Sequence, residues 1–211
     1  MASTPTPTAP ERSAAEPLTE RGRQKADRRA AILTAAAQLF AERGYAGVTI
    51  EDLGAAVGVS GPAVYRHFPG KSAVLAAILE GASRSLLDGA DRVLAGAPDA
   101  ASALRSLIAF HVDFALADAD VIVVQDRELE QLDAGVRHVV RSLQRRYVEH
   151  WVATLAELRP DRAEVELRFR AHAAFGLLNS TPHSARTPGR RPADGTVRGI
   201  LEEMAWASLM S

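Results

Sequence analysis

The chain has 211 residues, 47% of them apolar, with a formal net charge of −1 and no cysteine. Such a length suits a small module joined to a larger one, and the apolar share is ample for a core. Without cysteine there is no disulfide framework, thiolate zinc site or cysteine nucleophile, and a reducing compartment is compatible with the composition.

Residues 1 to about 19 alternate Pro, Thr, Ala and Ser and bury too little to offset the entropy of ordering, so a disordered tail is expected, with folded chain from residue 23. The tail holds no stretch resembling a secretion signal, and no apolar run reaches the length of a bilayer span. A soluble, cytoplasmic protein without membrane contact is expected.

Ile32, Leu33, Ala36, Ala37, Leu39 and Phe40 recur three and four apart, predicting an amphipathic helix over 25–43 that Gly44 ends. Thr49 opens a second, short helix with Asp52 three residues on, close to a capping box, and with Ile50, Leu53 and Val57 facing inward. Gly58 closes that helix and Ser60 caps a third over 61–68. Pro62 is tolerated there because a proline's missing N–H has no partner in a first turn. Pro69-Gly70 is a break. Val74, Leu75, Ile78, Leu79, Ala82 and Leu86 then predict a long helix over 71–94 linking two domains, 23–72 and 73–211.

Further helices are predicted over 100–116, 134–158, 162–178 and 195–209. The β-branched run 121–124 has no partner strand and is assigned to a short helix. Residues 180–194 hold three prolines and three arginines and read as an exposed loop. The expected fold is all-α, a three-helix N-terminal domain followed by a larger helical one.

The second and third helices, joined by Val57-Gly58-Val59-Ser60, make a helix-turn-helix whose second member fits a DNA major groove. Local charge agrees with this: between Glu20 and Ser72 eight Lys/Arg stand against five Asp/Glu, whereas from Ala73 onward sixteen stand against nineteen. Arg21, Arg23, Lys25, Arg28 and Arg29 form a basic approach that either tracks phosphates or is simply a solvated face.

Residues 31–79 resemble the DNA-binding region of TetR-family regulators. The matching signals are Ile32-Leu33, Ala36-Ala37, Leu39-Phe40, Gly44-Tyr45, Val48-Thr49-Ile50 and Leu53, then Val57-Gly58-Val59-Ser60, Val64-Tyr65-Arg66-His67-Phe68, Lys71 and Leu75. The resemblance implies that Tyr65 and Lys71 bind DNA phosphates, that Thr49 anchors the second helix on the backbone, and that Gly61, Pro62, Ala63, Arg66 and His67 face the groove. Helix N-termini at Thr49 and Ser60 suit phosphate, and Arg66 can engage the O6 and N7 of guanine together. The plainer alternatives are that Tyr65 packs between helices and that His67 is a structural hydrogen-bonding residue.

In that family the larger domain takes a small-molecule effector between helices and forms a homodimer through its last two long helices, and ligand commonly relieves repression. Val197, Ile200, Leu201, Met204, Ala205 and Ser208, with Val165, Phe169, His172, Ala173, Gly176 and Leu177, form stripes that either make the interface of a two-fold operator-bound dimer or are ordinary intramolecular packing. Apolar walls for the effector are Leu107, Phe110, Phe114, Tyr147, Trp151 and Phe175, with polar groups from His111, Gln125 and Asn179. The segments Gln125–Leu129 and Leu178–Thr181 are vaguely reminiscent of regulators of fatty-acid, acyl-CoA or sterol catabolism, which implies a lipophilic or acyl-CoA-like effector.

Two other classes compete. An enzyme needs a constellation, yet His111-Val112-Asp113 and Glu149-His150 lie at no metal-ligand spacing, and neither a phosphate-binding glycine loop nor a nucleophile elbow occurs. No cofactor or metal is expected. A helical protein-interaction module would have a third helix stripped of donors, whereas Tyr65, Arg66, His67 and Lys71 are retained.

Overall fold

The computed structural model describes residues 19–181 and 192–211. Most of the predicted tail, and 182–191 of the predicted loop, lie outside the described residues. The described residues form α1 (Glu20–Arg43), α2 (Ile50–Ala56), α3 (Gly61–Tyr65), α4 (Lys71–Gly96), α5 (Ala100–Ala117), α6 (Ala119–Glu128), a 3-10 turn (Leu129–Gln131), α7 (Ala134–Leu158), α8 (Glu164–Leu178) and α9 (Asp194–Met210), with no strand among them.

Helix α1 begins five residues before its apolar periodicity, inside the stretch assigned to the tail. The Thr19 hydroxyl accepts the Gly22 N–H at 3.2 Å, and Glu20 pairs with Arg23 at 2.8 Å. This first turn is held by a cap and charges, which a hydrophobic pattern does not register. Helix α3 is shorter than expected. It stops at Tyr65, where the Val64 carbonyl accepts both the His67 and Phe68 N–H groups, and Pro69 blocks continuation.

Two apolar cores organise these helices; the first runs across residue 72 and the second lies wholly beyond it. The first gathers Ile32, Phe40, Leu53, Val64 and Phe68 with Leu75 and Leu79 of α4, and it draws in Val123 and Val124 of α6 and Val140 of α7. The second takes Leu87 and Ala90 of α4, Leu104, Leu107 and Val112 of α5, Trp151 and Leu155 of α7, Leu167 and Leu178 of α8, and Leu201 and Leu209 of α9. Helices α4 and α7 thus serve both cores, while α6 lies in the larger domain by sequence but packs on α1.

Helix α5 has the length and mean hydropathy, 1.3, of a candidate bilayer span, contrary to the expectation that no run reaches it. Its neighbours explain the composition: α4, α7, α8 and α9 pack around it, and Leu104, Leu107, Ile108 and Val112 are buried at the centre of the larger core. Phe110 of α5 lies where any side chain at Gly89 of α4 would have to go, so a glycine lets these helices close over an aromatic ring.

The predicted interface stripes divide into inner and outer rows. On α9, Leu201 and Ala205 are buried in the core whereas Ile200 and Met204 are exposed; on α8, Val165 and Phe169 face outward and Leu177 packs inward. Adjacent helical positions point to different sides, so each predicted stripe takes in both an inward and an outward row.

Candidate DNA-binding surface and effector cavity

Thr49 closes a full capping box at α2. Its hydroxyl accepts the Asp52 N–H at 3.1 Å, and Asp52 Oδ2 accepts the Thr49 N–H at 2.8 Å. These bonds from the Thr49 backbone and side chain hold the Asp52 carboxyl below its usual range, with Arg43 3.8 Å away helping. The turn into α3 needs two glycines of different kinds. Gly58 sits at φ +70°, in the left-handed region. Gly54 was missed in the sequence: a Cβ there would lie 2.7 Å from the Val59 carbonyl oxygen and 3.2 Å from the Ser60 carbonyl carbon, so its absence sets how closely α2 and α3 cross.

Within α3 and the turn that follows, Val64 and Phe68 are buried, whereas Ser60, Pro62, Tyr65 and Arg66 are exposed, Tyr65 by 54%. Ala63 is half-buried. Gly61 is buried against the Glu51 side chain, so it supports the crossing of the two helices and does not present a groove-facing surface. His67 is half-buried, and its Nδ1 is buried without a hydrogen-bond partner. Burial, then the nearby cations Lys25, Arg29, Arg28 and Arg66, lower its pKa and favour the neutral ring.

The basic residues of α1 brace this unit. Arg28 donates to the Val57 carbonyl at 3.2 Å; Arg29 donates to the His67 carbonyl at 3.3 Å and lies 4.2 Å over the Phe68 ring. Lys71 donates to the carbonyls of Tyr45 at 2.6 Å and Val48 at 2.7 Å, and its ammonium sits 4.3 Å over the Tyr45 ring. The residue expected to meet phosphate is therefore also a tie between α4 and the loop preceding α2.

A separate cavity of about 220 Å³ lies between α4, α5, α6, α7 and α8. Six of the nine predicted residues line it: His111, Phe114, Gln125, Tyr147, Phe175 and Asn179. Three do not. Leu107 and Trp151 are fully buried, with Trp151 edge-on to Phe175 at 4.9 Å behind the wall, and Phe110 is seated over Gly89. Ser83, Leu86, Ile122, Gln144, Val148 and His172 complete the lining and were missed. Gln144 stands beside Arg145 and Arg146 and reads as solvated; its spacing of three and four from Tyr147 and Val148 was the available signal.

His111 is 3% exposed and bonded at both nitrogens, to the Tyr147 hydroxyl at 3.0 Å and to Asn179 Oδ1 at 3.1 Å. Because Oδ1 only accepts, Nε2 carries the proton and Tyr147 donates to Nδ1. Burial drives the His111 pKa down to about 4, although its bond to Asn179 acts the other way, and burial also raises that of Tyr147. The ring is a neutral structural link in an aromatic cluster with Tyr147 and Phe175, 5.8 Å and 5.1 Å away.

Comparison with known proteins follows this division. Residues 32–78 match the model of bacterial regulatory proteins of the tetR family, and residues 97–202 match a tetracyclin repressor-like C-terminal domain. The chain is 29% identical over 153 residues to the HTH-type transcriptional repressor KstR2 of Rhodococcus jostii (strain RHA1), covering 69% of this chain and 74% of that protein. A TetR-family transcriptional regulator from Bordetella parapertussis 12822 superposes with a TM-score of 0.73 at 27% identity, over 87% of this chain and 92% of that one. AibR, solved with isovaleryl coenzyme A and operator DNA, shares the fold with a TM-score of 0.68 at 20% identity, over 84% and 97% of the two chains. The matched families are regulators and not enzymes, and two independent matches together span the helix-turn-helix and the larger helical domain. The chain belongs to the TetR family of bacterial transcriptional regulators.

Proposed function

We propose that this regulator acts in the cytoplasm as a homodimeric repressor that leaves its double-stranded operator when a small lipophilic or acyl-type effector fills the cavity between α4 and α8. The observation that carries the DNA side is the division of the α3 region, which buries Val64 and Phe68 while turning Pro62, Tyr65 and Arg66 outward. In this reading Arg66 reads a guanine edge, Tyr65, Ser60 and the third proton of Lys71 meet phosphates, Thr49 sets α2 on the backbone, and Pro62, Ala63 and His67 line the groove.

Two such units must stand about one DNA turn, ~34 Å, apart. The outward rows Val165–Phe169 and Ile200–Met204 supply an apolar surface for pairing α8 and α9 with a second copy. Helix α6 supplies the link to the effector. It sends Ile122 and Gln125 to the cavity and Val123 and Val124 into the DNA-binding core, so a ligand that shifts α6 favours one spacing of the two units over another.

The similarity to AibR supports an acyl-type effector, and the apolar, uncharged character of much of the lining suits an acyl or alicyclic body. The test is anisotropy titration of the purified protein on genomic fragments it selects, across a salt series. Binding that weakens linearly with log salt and is strongest on two-fold sites is expected. Failure to bind any duplex at low ionic strength overturns the reading.

A further inference from the structure

The effector cavity is small for a ligand site. Sites that enclose drug-sized molecules run from about 300 to 1,000 Å³, and this one is about 220 Å³. A groove of about 310 Å³ lies beside it between α1, α4, α5 and α6, with Leu33 and Ala37 of α1, Ile78 of α4 and Val121 of α6 among its walls. Among the described residues the two spaces share one lining residue, Phe114 of α5. Its flanks show that they lie back to back. On α4, Ala82 and Ser85 face the groove while Ser83 and Leu86 face the cavity, and on α6 Val121 and Ile122 divide in the same way. Phe114 is half-buried and, unlike Phe110 and Phe175, belongs to neither apolar core; its ring meets that of His111, one turn earlier, at 5.9 Å. An aromatic ring seated in no core gives up little packing when it turns about χ1.

Resting on the effector reading above, we infer that cavity and groove are two chambers of one site, that the Phe114 ring is the partition that turns to join them, and that the effector is an elongated lipophile without negative charge, such as a fatty alcohol or ester. Joined, the chambers offer more than twice the space of the cavity, within the ordinary range for ligands. Charge selects against an anion. No Lys or Arg lines either chamber, and Asp118 and Asp120 stand in the groove, so a carboxylate or phosphate there is desolvated without a counter-charge. Position gives the groove a use that the cavity lacks. Leu33, Thr34 and Ala37 belong to the first helix of the DNA-binding unit, so a chain long enough to pass Phe114 bears on α1 directly, whereas a short ligand reaches that unit only through α4 and α6.

The experiment titrates the full chain by calorimetry with 1-hexanol, short enough for the cavity, and 1-decanol, whose chain overfills it. Because the extra methylenes leave water in the groove, 1-decanol should bind at least about 30-fold more tightly. Sodium decanoate should bind at least about tenfold more weakly than 1-decanol. Ala117→Trp, at an exposed position in the groove, should block the outer chamber, erase most of the long-chain gain and leave 1-hexanol unchanged. The chain has no cysteine, so Thr34→Cys takes a single trifluoromethyl label on the α1 wall; its fluorine resonance should move with 1-decanol and stay in place with 1-hexanol. Phe114→Ala removes the ring that has to turn, and 1-decanol should then associate at least about tenfold faster in stopped-flow mixing. Binding of 1-hexanol with no gain for 1-decanol, a gain that survives Ala117→Trp, or a label at Thr34 that stays silent overturns the two-chamber site while leaving the cavity as the effector site. Unchanged association in Phe114→Ala overturns the role of the ring, and decanoate binding as tight as that of 1-decanol overturns the assignment of charge. If neither alcohol binds the parent protein, the effector reading fails as well.

Discussion

The Glu128 carboxylate, at the end of α6, accepts the backbone N–H of Tyr45 at 3.0 Å, on the loop joining α1 to α2. Lys71, at the start of α4, takes the carbonyl of the same residue at 2.6 Å. One peptide segment is thereby held from both sides by the two helices that also run to the cavity, and Arg127 adds a bond to the Ala41 carbonyl at 3.3 Å. This is a direct mechanical connection from cavity to helix-turn-helix, made of backbone groups that have no intrahelical partner.

Removing the Glu128 side of that connection should loosen the loop without unfolding the chain. Glu128→Ala is expected to cost about 1 to 2 kcal/mol in urea denaturation, since a charged acceptor is lost. Hydrogen exchange at the Tyr45 amide should accelerate while core amides such as Val64 change only with global stability. Unchanged exchange at Tyr45 would mean that the bond carries no load in solution.

The two glycines of the turn should respond differently to alanine. At Gly54 the new methyl meets backbone atoms of Val59 and Ser60 that cannot swing away, so Gly54→Ala is expected to cost about 2 kcal/mol or more and to impair DNA binding. At Gly58 a Cβ has open space and only the left-handed backbone, φ +70°, is penalised, at about 1 kcal/mol; Gly58→Asn should recover part of it. Chemical denaturation of the three variants checks the order.

That contrast also marks what the sequence could reveal. Gly58 was legible because a glycine between two short helical patterns is a turn signal. Gly54 was not, because its role depends on a neighbour across the turn and not along the chain. Six cavity residues were likewise readable from aromatic and polar types on helix faces. Phe110 and Trp151 have the same types and spacing, and only the packing over Gly89 and behind Phe175 removes them from the cavity. The first turn of α1 and the affiliation of α6 with the DNA-binding core rest on a cap and on tertiary contacts, which periodicity does not encode.

Lys71 and Arg66 should separate structural from contact roles. Lys71→Met leaves two carbonyls without their cation and is expected to lower stability by about 2 kcal/mol, besides reducing the salt slope of DNA binding by about one. Arg66 is exposed, so Arg66→Ala should leave stability within about 0.5 kcal/mol and cost ~1 to 3 kcal/mol on operator, relaxing one base position. Paired denaturation and anisotropy measurements read both.

His111 predicts a pH dependence of stability with a fixed sign. Its folded pKa, about 4, lies below the ordinary value of 6.5, so the unfolded chain binds the proton first. The stabilisation is complete above pH 6.5 and is lost as pH falls toward 4, by up to about 3 kcal/mol. The His111→Gln variant should start less stable, because the ring's bonds to Tyr147 and Asn179 change. Its stability should nevertheless fall less steeply between pH 6.5 and 4. Parallel denaturation curves at several pH values, parent against variant, isolate this group from His67, which titrates in both.

The outward apolar row on α8 yields the last expectation. Phe169 is 74% exposed and touches no core, so Phe169→Asp should leave the monomer folded, with its helical circular dichroism and the urea response of its isolated chain unchanged. If α8 and α9 pair about a two-fold axis, the substitution places two carboxylates within an apolar contact, where neither finds a partner. Light scattering should then report a monomer in place of a dimer. Operator affinity should fall by about 100-fold or more, because each recognition unit now binds alone and the advantage of joint engagement is lost. An unaltered dimer would move the interface away from Phe169, and a monomer that still binds a two-fold operator at parental affinity would remove the need for pairing before DNA is met.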